Sequence, residues 1–430
     1  MTRSRFANLL VLTVALVVLA SGVARADPGD RDHSFGGGDG IVKYDGGGSD
    51  AGQKILRQPD GKIVVAGQVE TGGTNEDLFL GRYTANGSPD TTFGGGDGVV
   101  RLDFLGGYDD MWALNRYPDG RLIVAGYAED SGGTFDRIAV ARFTATGKRD
   151  NTFSGDGKTT TTISGYPSLF GWRSVLQDNG KLVVVGEAVP SGGGGASDLF
   201  VVRYRTDGHL DSTFSGDGKK VVNLGGDDYA WDVRLLDGGT ILAAGSADSA
   251  SEGRMSLVWL TPSGSLDTAR GGGDGKATVD LVPGNSTEVV RAVLVLSSGK
   301  LLVVGEADRA AGPATGIDVF EARLKPNGGK DTTFGGGDGV VGSDGGDNEV
   351  LFGAKRQSDG KVVAAGFNPG FFVVRLRKDG TADGNFGNGG FSKPVGGGGG
   401  RANDVVIQPD GRIVVTGDSN DDVATLRLLA

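Results

Sequence analysis

Short apolar runs alternate with glycine-rich turns along almost the whole chain. In residues 58–67, for example, a Pro-Asp-Gly turn precedes an apolar run that begins at Ile63. The pattern occurs seven times, with turn glycines at Gly61, Gly120, Gly180, Gly239, Gly299, Gly360 and Gly411. Apolar runs of about four to eight residues bounded by Gly, Asn, Asp and Pro are typical of β-strands. A recurrence this regular indicates a repeat architecture.

Each unit contains four such runs, which we interpret as a four-stranded antiparallel sheet. Units of four short strands repeated around a ring are typical of a β-propeller, which protects its sheet edges by radial repetition. The last unit ends after a third strand at residues 424–428, whereas the strand at residues 40–45 precedes the first complete unit. We therefore predict an all-β fold, a seven-bladed β-propeller of four-stranded antiparallel blades, closed by the N-terminal strand pairing into the last blade. An open solenoid would instead need polar capping units at both ends.

Two repeated positions change together in the fourth unit. Six units carry an arginine on the third strand, namely Arg82, Arg142, Arg203, Arg323, Arg375 and Arg427. Six also carry a phenylalanine three residues after a repeated aspartate, namely Phe35, Phe93, Phe153, Phe214, Phe334 and Phe386. The fourth unit has Trp259 and Arg270 at these two positions. Because guanidinium groups stack on aromatic rings and pair with carboxylates, we predict that the arginine contacts both the phenylalanine and the aspartate.

The repeated unit also resembles a known family. Leu-Asp-x-Thr-Phe-Gly followed by Gln-Pro-Asp-Gly-Lys-Ile-Val-Val-Ala-Gly and by a strand ending in Arg-Tyr resembles the delta-60 repeat of bacterial exported proteins. The resemblance covers residues 32–430, with departures in the fourth unit and in the shortened sixth unit. It implies a propeller and export, but it implies no activity and no catalytic residues.

The amino end has the features of an export signal. Arg3 and Arg5 precede an apolar run at residues 9–20, and residues 24–26 have the small-x-small pattern of a cleavage site. A membrane anchor is the alternative, but the run is shorter than the roughly 20 apolar residues that span a bilayer. We therefore expect residues 1–26 to be a removed signal peptide and residues 27–430 to be a single secreted propeller domain, without membrane insertion. The chain has no cysteine, so burial alone must stabilise the exported fold.

The net charge argues against one class of partner. It is -11 for the whole chain, and the predicted signal contains arginines but no acid. Nucleic-acid binding needs a basic surface, so we expect no nucleic-acid partner. Acidic charge favours solubility, and we expect a monomer.

Candidate binding residues lie at the start of the innermost strands and in the loops that precede them. In a propeller these inter-blade loops share one face with the loops between second and third strands. Eight residues before the turn glycines, the units carry Gln53, Trp112, Trp172, Trp231, Arg291, Phe352 and Asn403. Our candidate ligand-binding set is Trp112, Trp172, Trp231, Phe352, Tyr108, Asp109, Asp110, Asp227, Asp228 and Tyr229. Stacking of the indoles on a sugar ring or a peptide is one interpretation, and packing between neighbouring blades is the other.

These residues predict an exported binding or interaction scaffold that uses its variable loop face, with a glycan or a protein as ligand. The alternative is a carbohydrate-active hydrolase or lyase with Asp109, Asp110, Asp227 and Asp228 at the channel mouth, since propellers assemble sites from several blades. We assign no catalytic residue, because His33 and His209, the two histidines, both occupy an ordinary repeat turn.

One repeated turn of the sequence contains groups that could bind a metal ion. Gly-Asp-Gly turns, such as the one around Asp97, contain oxygen ligands suited to calcium. They lack the alternating acids of an EF-hand loop, and the same sequence suits a turn with positive φ. We therefore expect no cofactor and keep calcium as the less favoured interpretation of these turns.

Overall fold

The computed structural model describes residues 27–430 except 72–74, 193–194, 249–252, 283–286, 310–315, 344–347, 369 and 393–399. The predicted signal peptide lies outside the described residues. Within them, no helix combines the length and the hydropathy that a membrane span requires.

The described chain forms seven antiparallel sheets, which are the blades of a propeller. Blade 1 contains β2 (Ala51–Arg57), β3 (Ile63–Thr71), β4 (Asn75–Tyr83) and β5 (Val99–Leu102). Blade 2 contains β6 (Gly106–Arg116), β7 (Leu122–Asp130), β8 (Asp136–Phe143) and β9 (Lys158–Thr161). Blade 3 contains β10 (Ser168–Leu176), β11 (Leu182–Val189), β12 (Asp198–Tyr204) and β13 (Lys219–Val222).

The remaining blades follow the same order. Blade 4 contains β14 (Asp227–Leu235), β15 (Ile241–Asp248), β16 (Gly253–Leu260) and β17 (Lys276–Val279). Blade 5 contains β18 (Thr287–Val295), β19 (Leu301–Arg309), β20 (Gly316–Leu324) and β21 (Val340–Ser343). Blade 6 contains β22 (Val350–Arg356), β23 (Val362–Phe367) and β24 (Phe371–Leu376). Blade 7 contains β25 (Gly400–Ile407), β26 (Ile413–Ser419), β27 (Asp422–Leu428) and the opening strand β1 (Ile41–Tyr44). Short 3₁₀ turns occur at Asp237–Gly239, Gly271–Gly273 and Gly335–Gly337.

The two ends of the described chain meet in blade 7. The opening strand β1 pairs antiparallel with β27, and Ile41 lies opposite Leu426. The backbone amide of Asp32 also donates to the carbonyl of Arg427 at 2.8 Å. The prediction of a seven-bladed ring closed by the N-terminal strand is therefore confirmed.

Within the described residues, a short bridge occupies the place of the fourth strand of blade 6. Phe391 bridges to Val374, and the amide of Ser392 donates to the carbonyl of Val373 at 2.7 Å. The next residues, 393–399, lie outside the described part of the chain.

The apolar core lies between the blades. Seven clusters of buried side chains fill the seven interfaces, and each cluster contains residues from two neighbouring sheets. The first cluster, for example, contains Val64 of blade 1 and Val124 of blade 2. Because successive side chains of a strand point to opposite faces, a strand that is apolar throughout can pack against both neighbouring blades. This explains why the second strand of each unit reads as a continuous apolar run.

Arginine, aspartate and phenylalanine form a repeated motif at the outer strands, as predicted. In six blades the arginine Nε donates to the aspartate at 2.6 to 2.8 Å. The same guanidinium lies 4.4 to 4.9 Å from the centre of the phenylalanine ring. In blade 7 the aspartate is Asp32 and the ring is Phe35, so the opening segment completes the motif of the last blade.

In blade 4 the arginine and the aromatic residue of this motif exchange positions, and two of its contacts remain. Arg270 donates to Asp267 at 3.2 Å, and its second nitrogen donates to the carbonyl of Pro326 in blade 5 at 3.0 Å. In blade 3, Arg203 makes the equivalent inter-blade bond to the carbonyl of Pro262. Trp259 is fully buried in the place of the missing arginine. The exchange therefore preserves both the ion pair and the bond to the next blade.

Candidate functional site

The candidate site lies at the upper mouth of the central channel, where the innermost strands begin. The inter-blade loops and the loops between second and third strands meet on this face. For example, the amide of Ser191 donates to the carbonyl of Gly165 at 3.0 Å, and the side chain of Asn75 donates to the carbonyl of Gly106 at 2.8 Å. The predicted grouping of these two variable loop sets on one face is confirmed.

Every innermost strand carries a β-bulge at the candidate position. The strand register skips one residue in six blades and two in blade 2, and the skipped residues include Gln53, Trp112, Trp172, Trp231, Arg291, Phe352 and Asn403. A bulge leaves its extra residue out of the ladder and bends the strand, which redirects that side chain. None of the three tryptophans belongs to the apolar clusters between the blades.

The three indoles form one continuous aromatic arc across blades 2, 3 and 4. The ring centre of Trp172 lies 5.4 Å from that of Trp112 and 5.0 Å from that of Trp231. Phe170 stacks on Trp172 at 5.7 Å, and Tyr229 stacks on Trp231 at 5.8 Å. All five rings are partly exposed. We call these five residues together with Tyr127 the aromatic arc.

Tyr127 joins the arc from the second strand of blade 2. Its ring lies 4.9 Å from Phe170 and 5.9 Å from Trp172. Tyr127 is absent from the predicted candidate set, although the sequence contains a signal for it. Tyr127 directly follows the repeated glycine of the second strand, where other units have Gln68, Glu187, Ser246, Glu306, Phe367 and Asp418. A position that is mostly polar inside an apolar run indicates a side chain that faces the channel.

An arginine continues the arc toward blade 6. The guanidinium of Arg291 lies 4.8 Å from the ring centre of Trp231 and 5.6 Å from that of Phe352. Its charge is balanced by Glu306, at 2.7 Å. Phe352 therefore belongs to the same ring of residues as the tryptophans, but its contact with them is indirect, because the guanidinium of Arg291 contacts both Phe352 and Trp231.

A charged layer lies in the channel below the arc. Arg173 donates to the carbonyl of Trp172 at 2.9 Å and, across the channel, to the carbonyl of Phe352 in blade 6 at 2.8 Å. Lys54 pairs with Asp404 at 3.1 Å, and burial lowers the pKa of Lys54 to about 7. These residues directly follow the bulges. They are absent from the predicted candidate set, because nothing in a single unit shows that a side chain crosses the ring.

Two of the four candidate acids anchor inter-blade loops. Asp109 is fully buried and accepts from the amide of Phe104 at 2.7 Å, while Asp228 is fully buried and accepts from the amide of Leu224 at 2.5 Å. Burial raises the pKa of Asp109 to about 8 and that of Asp228 to about 6. Both carboxylates face the loops, so neither is presented to a ligand in the open mouth.

The other candidate acids have different surroundings. Asp110 accepts from the indole nitrogen of Trp112 at 2.6 Å, and burial raises the pKa of Asp110 to about 7. Asp227 is exposed and accepts from the amide of Ser197 at 2.7 Å. Tyr108 is 48% exposed, and within the described residues no ring contact joins it to the arc. The structure thus places six of the ten candidate residues around the channel and leaves Tyr108, Asp109, Asp227 and Asp228 at the loops.

Comparisons with solved structures agree with the fold. Extracellular domains 1 and 2 of Drosophila semaphorin 1b are 11% identical with a TM-score of 0.51, over 94% of this chain and 88% of that chain. The polysaccharide lyase Uly1 is 13% identical with a TM-score of 0.47, over 88% of this chain and 90% of that chain. The extracellular domain of the one-component system BT4673 of B. thetaiotaomicron is 10% identical with a TM-score of 0.43, and this chain spans 39% of its length while 90% of this chain is covered. At 11% identity the likeness to semaphorin 1b shows the fold alone.

A family comparison goes further. No curated protein matches the chain. A family described as a domain of unknown function (DUF5122) beta-propeller matches seven segments, at residues 58–93, 118–153, 177–214, 239–269, 296–334, 357–386 and 408–430. Each segment begins at or near a turn of the Pro-Asp-Gly type, and five of the seven end at the repeated phenylalanine, so the matches follow the blades. Since these segments make up more than half of its residues, the chain belongs to the DUF5122 beta-propeller family.

Proposed function

We propose that this protein is an exported, monomeric binding scaffold whose ligand docks on the aromatic arc at the upper mouth of the channel. The observation that carries the proposal is the arc itself. Three bulged tryptophans from three successive blades contact one another at 5.0 to 5.4 Å and stay partly exposed. Exposed aromatic surface on this scale is more typical of a binding site than of a surface that serves solubility alone.

The polar groups beside the arc favour a glycan as the ligand. The indole nitrogens of Trp172 and Trp231 have no hydrogen-bond partner among the described residues. Both nitrogens are buried, so a small acceptor such as a water molecule in the channel would remove the cost of about 1–3 kcal/mol of a donor without a partner. Asp227 adds an exposed carboxylate acceptor on the strand that carries Tyr229 and Trp231. A sugar offers apolar ring faces for the indoles together with hydroxyl groups that donate to this carboxylate.

The charged layer below the arc supports binding at the mouth over passage through the ring. Arg173 bridges blade 3 to blade 6, and Lys54 and Asp404 fill the space beside it. A ligand that entered the mouth would stop at the indoles. The site we propose is therefore a shallow cup with an aromatic floor.

Export and the identity of the repeat belong to the same proposal. The arginines and the apolar run of residues 1–26 support removal of a signal peptide. The Gln-Pro-Asp-Gly and Asp-x-Thr-Phe positions support naming the repeat delta-60. Mass spectrometry of the secreted chain would test the first point, and we expect the mature protein to begin at Asp27.

Binding of the purified secreted chain to a glycan and cell-wall array tests the proposed function. We expect Trp172→Ala to weaken the strongest signal about tenfold or more, because Trp172 contacts both neighbouring indoles and its loss divides the arc. Val295→Ala is the matched control, because Val295 is an exposed apolar residue at the lower end of an innermost strand. Equal binding by the wild type and Trp172→Ala would contradict the proposal, as would the absence of any array signal.

A further inference from the structure

The junctions between blades on the upper face share three repeated positions. The first lies five residues before the arginine of the third strand, the second directly follows the fourth strand, and the third lies three residues before the bulge of the next blade. At the junction of blades 1 and 2 these positions hold Asp77, Asp103 and Asp109. Oxygen atoms of the three carboxylates lie within 4.8 Å of one another, and no other such group occurs among the described residues.

One carboxylate oxygen in this cluster lacks any partner. Asp109 is fully buried, its Oδ2 accepts from the amide of Phe104, and its Oδ1 has no hydrogen-bond partner among the described residues. The carboxylate of Asp109 faces Asp77 and Asp103, since all three come within 4.8 Å. A buried carboxylate oxygen without a donor, beside two further carboxylates, is unfavourable unless a cation or a proton neutralises the group.

Three other junctions have fewer acids at these positions or pair one of their acids with a lysine. At the junction of blades 7 and 1, Lys43 pairs with Asp422 at 3.0 Å. At the junction of blades 3 and 4, Asn223 replaces the second acid and donates to Asp198 at 2.5 Å, and Tyr166 also donates to Asp198. At the junction of blades 4 and 5, an arginine, Arg254, takes the first position.

The junction of blades 2 and 3 has lost the acids altogether. Its three positions hold Arg137, Thr162 and Leu169. At the junction of blades 5 and 6 the second position is Asp344, which lies outside the described residues. Among the junctions whose three positions are all described, only two therefore have three acids. At the junction of blades 7 and 1 a lysine pairs with one of them, and the other junction is the one with Asp77, Asp103 and Asp109.

At the junction of blades 1 and 2, the corresponding cation contacts an aromatic ring and pairs with none of the three acids among the described residues. The strand position equivalent to Lys43 is Arg101, and the guanidinium of Arg101 lies over the ring of Tyr44, 5.4 Å from its centre. Lys158 is nearby, but its amine donates to the carbonyls of Asp103 and Phe104 at 2.8 and 3.1 Å. No side chain of the described residues forms an ion pair with Asp77, Asp103 or Asp109.

We propose that Asp77, Asp103 and Asp109 bind a calcium ion that fixes the loop between blades 1 and 2. Calcium takes oxygen ligands at about 2.3–2.6 Å, so the oxygens of one shell lie no more than about 5 Å apart, and the three carboxylates meet this limit. Loop carbonyls and water would complete the shell. The ion joins β4 to β6, and β6 continues into Asp110 and Trp112 of the aromatic arc. This site is independent of the ligand proposed for the arc.

Calcium titration of the chelator-treated full chain tests the proposal, with isothermal calorimetry for affinity and thermal unfolding for stability. We expect calcium to raise the Tm of the wild type, because an ion that binds the folded state alone stabilises it. Asp103→Asn should weaken calcium binding about tenfold or more and abolish the Tm shift. Asp103 is exposed, so this variant should keep the wild-type Tm in the presence of chelator.

Two control variants test whether calcium binds at this junction. Asp97→Asn alters an exposed Gly-Asp-Gly turn on the lower face, and Asp45→Asn alters the equivalent acid at the junction of blades 7 and 1. Both should bind calcium as the wild type does. The proposal is overturned by the absence of calcium binding at millimolar concentration, by unchanged affinity in Asp103→Asn, or by loss of binding in either control.

Discussion

The acids of the two faces of this ring have opposite surroundings. On the lower face, the aspartate of each repeated motif meets cations and hydrogen-bond donors. Burial opposes the ionisation of Asp150, but hydrogen bonds from Thr152 and Arg121 and the charge of Arg142 lower the pKa of Asp150 to about 2. On the upper face, burial raises the pKa of Asp110, Asp228 and Glu76 to between about 6 and about 7. The same residue type therefore stabilises one face and carries unfavourable charge on the other.

This difference separates structural from functional positions. The lower-face motif recurs with little change in six blades and satisfies its own charges, so its repetition is explained by stability. A second cation reinforces it, since the residue after the turn glycine also reaches the aspartate, as Lys181 reaches Asp211 at 2.8 Å. The upper face varies from blade to blade and leaves polar atoms without partners, as expected of surfaces that bind ligands. The predictions below test this contrast.

Acid should destabilise the protein through the lower face. A carboxyl group whose pKa is lowered on folding contributes stability that is present above its unfolded value, about 3.9, and is lost as the pH falls toward its folded value. Asp32, Asp90, Asp150, Asp211 and Asp383 all have lowered pKa values. We expect the free energy of unfolding to fall by more than about 5 kcal/mol between about pH 4 and pH 2, as measured by urea unfolding. A flat profile over this range would contradict the assignment.

Removing one arginine of the motif should cost nearly as much. Arg142→Ala leaves Asp150 buried without its main ion pair, and breaking a buried pair costs about 3–5 kcal/mol. Urea unfolding of the variant measures the loss. The matched control is Arg205→Ala, because Arg205 and Asp207 pair at 2.7 Å on the exposed surface, where a pair contributes about 0–1 kcal/mol. Equal effects of the two substitutions would show that the buried motif does not stabilise the blade.

The exchange in blade 4 can be reversed as a double-mutant cycle. Trp259→Arg alone removes a buried indole and places a second guanidinium beside the pair of Arg270 and Asp267, so it should be strongly destabilising. Adding Arg270→Phe rebuilds the motif of the other six blades. We expect a favourable coupling of about 1–3 kcal/mol between the two substitutions in urea unfolding. Additive effects would mean that the two positions are not energetically coupled.

The upper face should respond to pH in the opposite direction. The pKa of Asp228 is raised to about 6, so its ionisation destabilises the fold as the pH rises from about 4 through about 6. Asp228→Asn keeps an acceptor for the amide of Leu224 and removes the charge. We expect the variant to gain about 1–3 kcal/mol over the wild type at about pH 8 and nothing at about pH 4. The exposed Asp217→Asn on the lower face of the same region is the control, and an equal gain there would refute the explanation.

Much of the fold could be predicted from the sequence, because the same pattern of strands and turns recurs in every unit. The contact between Arg142 and Phe153 was inferred from the exchange in the fourth unit, where two positions change together. The candidate site was only partly predictable. The sequence identified the position of Trp112, Trp172 and Trp231, but it did not show the bulge, because a bulge is a property of the pairing between two strands.

The acids illustrate the second limit. Asp109 and Asp110 are neighbours in the sequence and were assigned together to the channel mouth. In the structure, Asp109 accepts from the loop amide of Phe104, while Asp110 accepts from the indole of Trp112. Successive residues of a strand point to opposite sides, so their roles separate once the strand is placed.

The sequence by itself determined the number of blades, the strands in each and the partners within a blade, because those contacts join residues at short, repeated spacings. Only the tertiary structure decided what meets at the axis. Trp112, Trp172 and Trp231 lie about one full unit apart along the chain, and Arg173 reaches a carbonyl in blade 6. Ring closure brings one residue from each blade to the same point, and no spacing within a single unit encodes which side chains then touch.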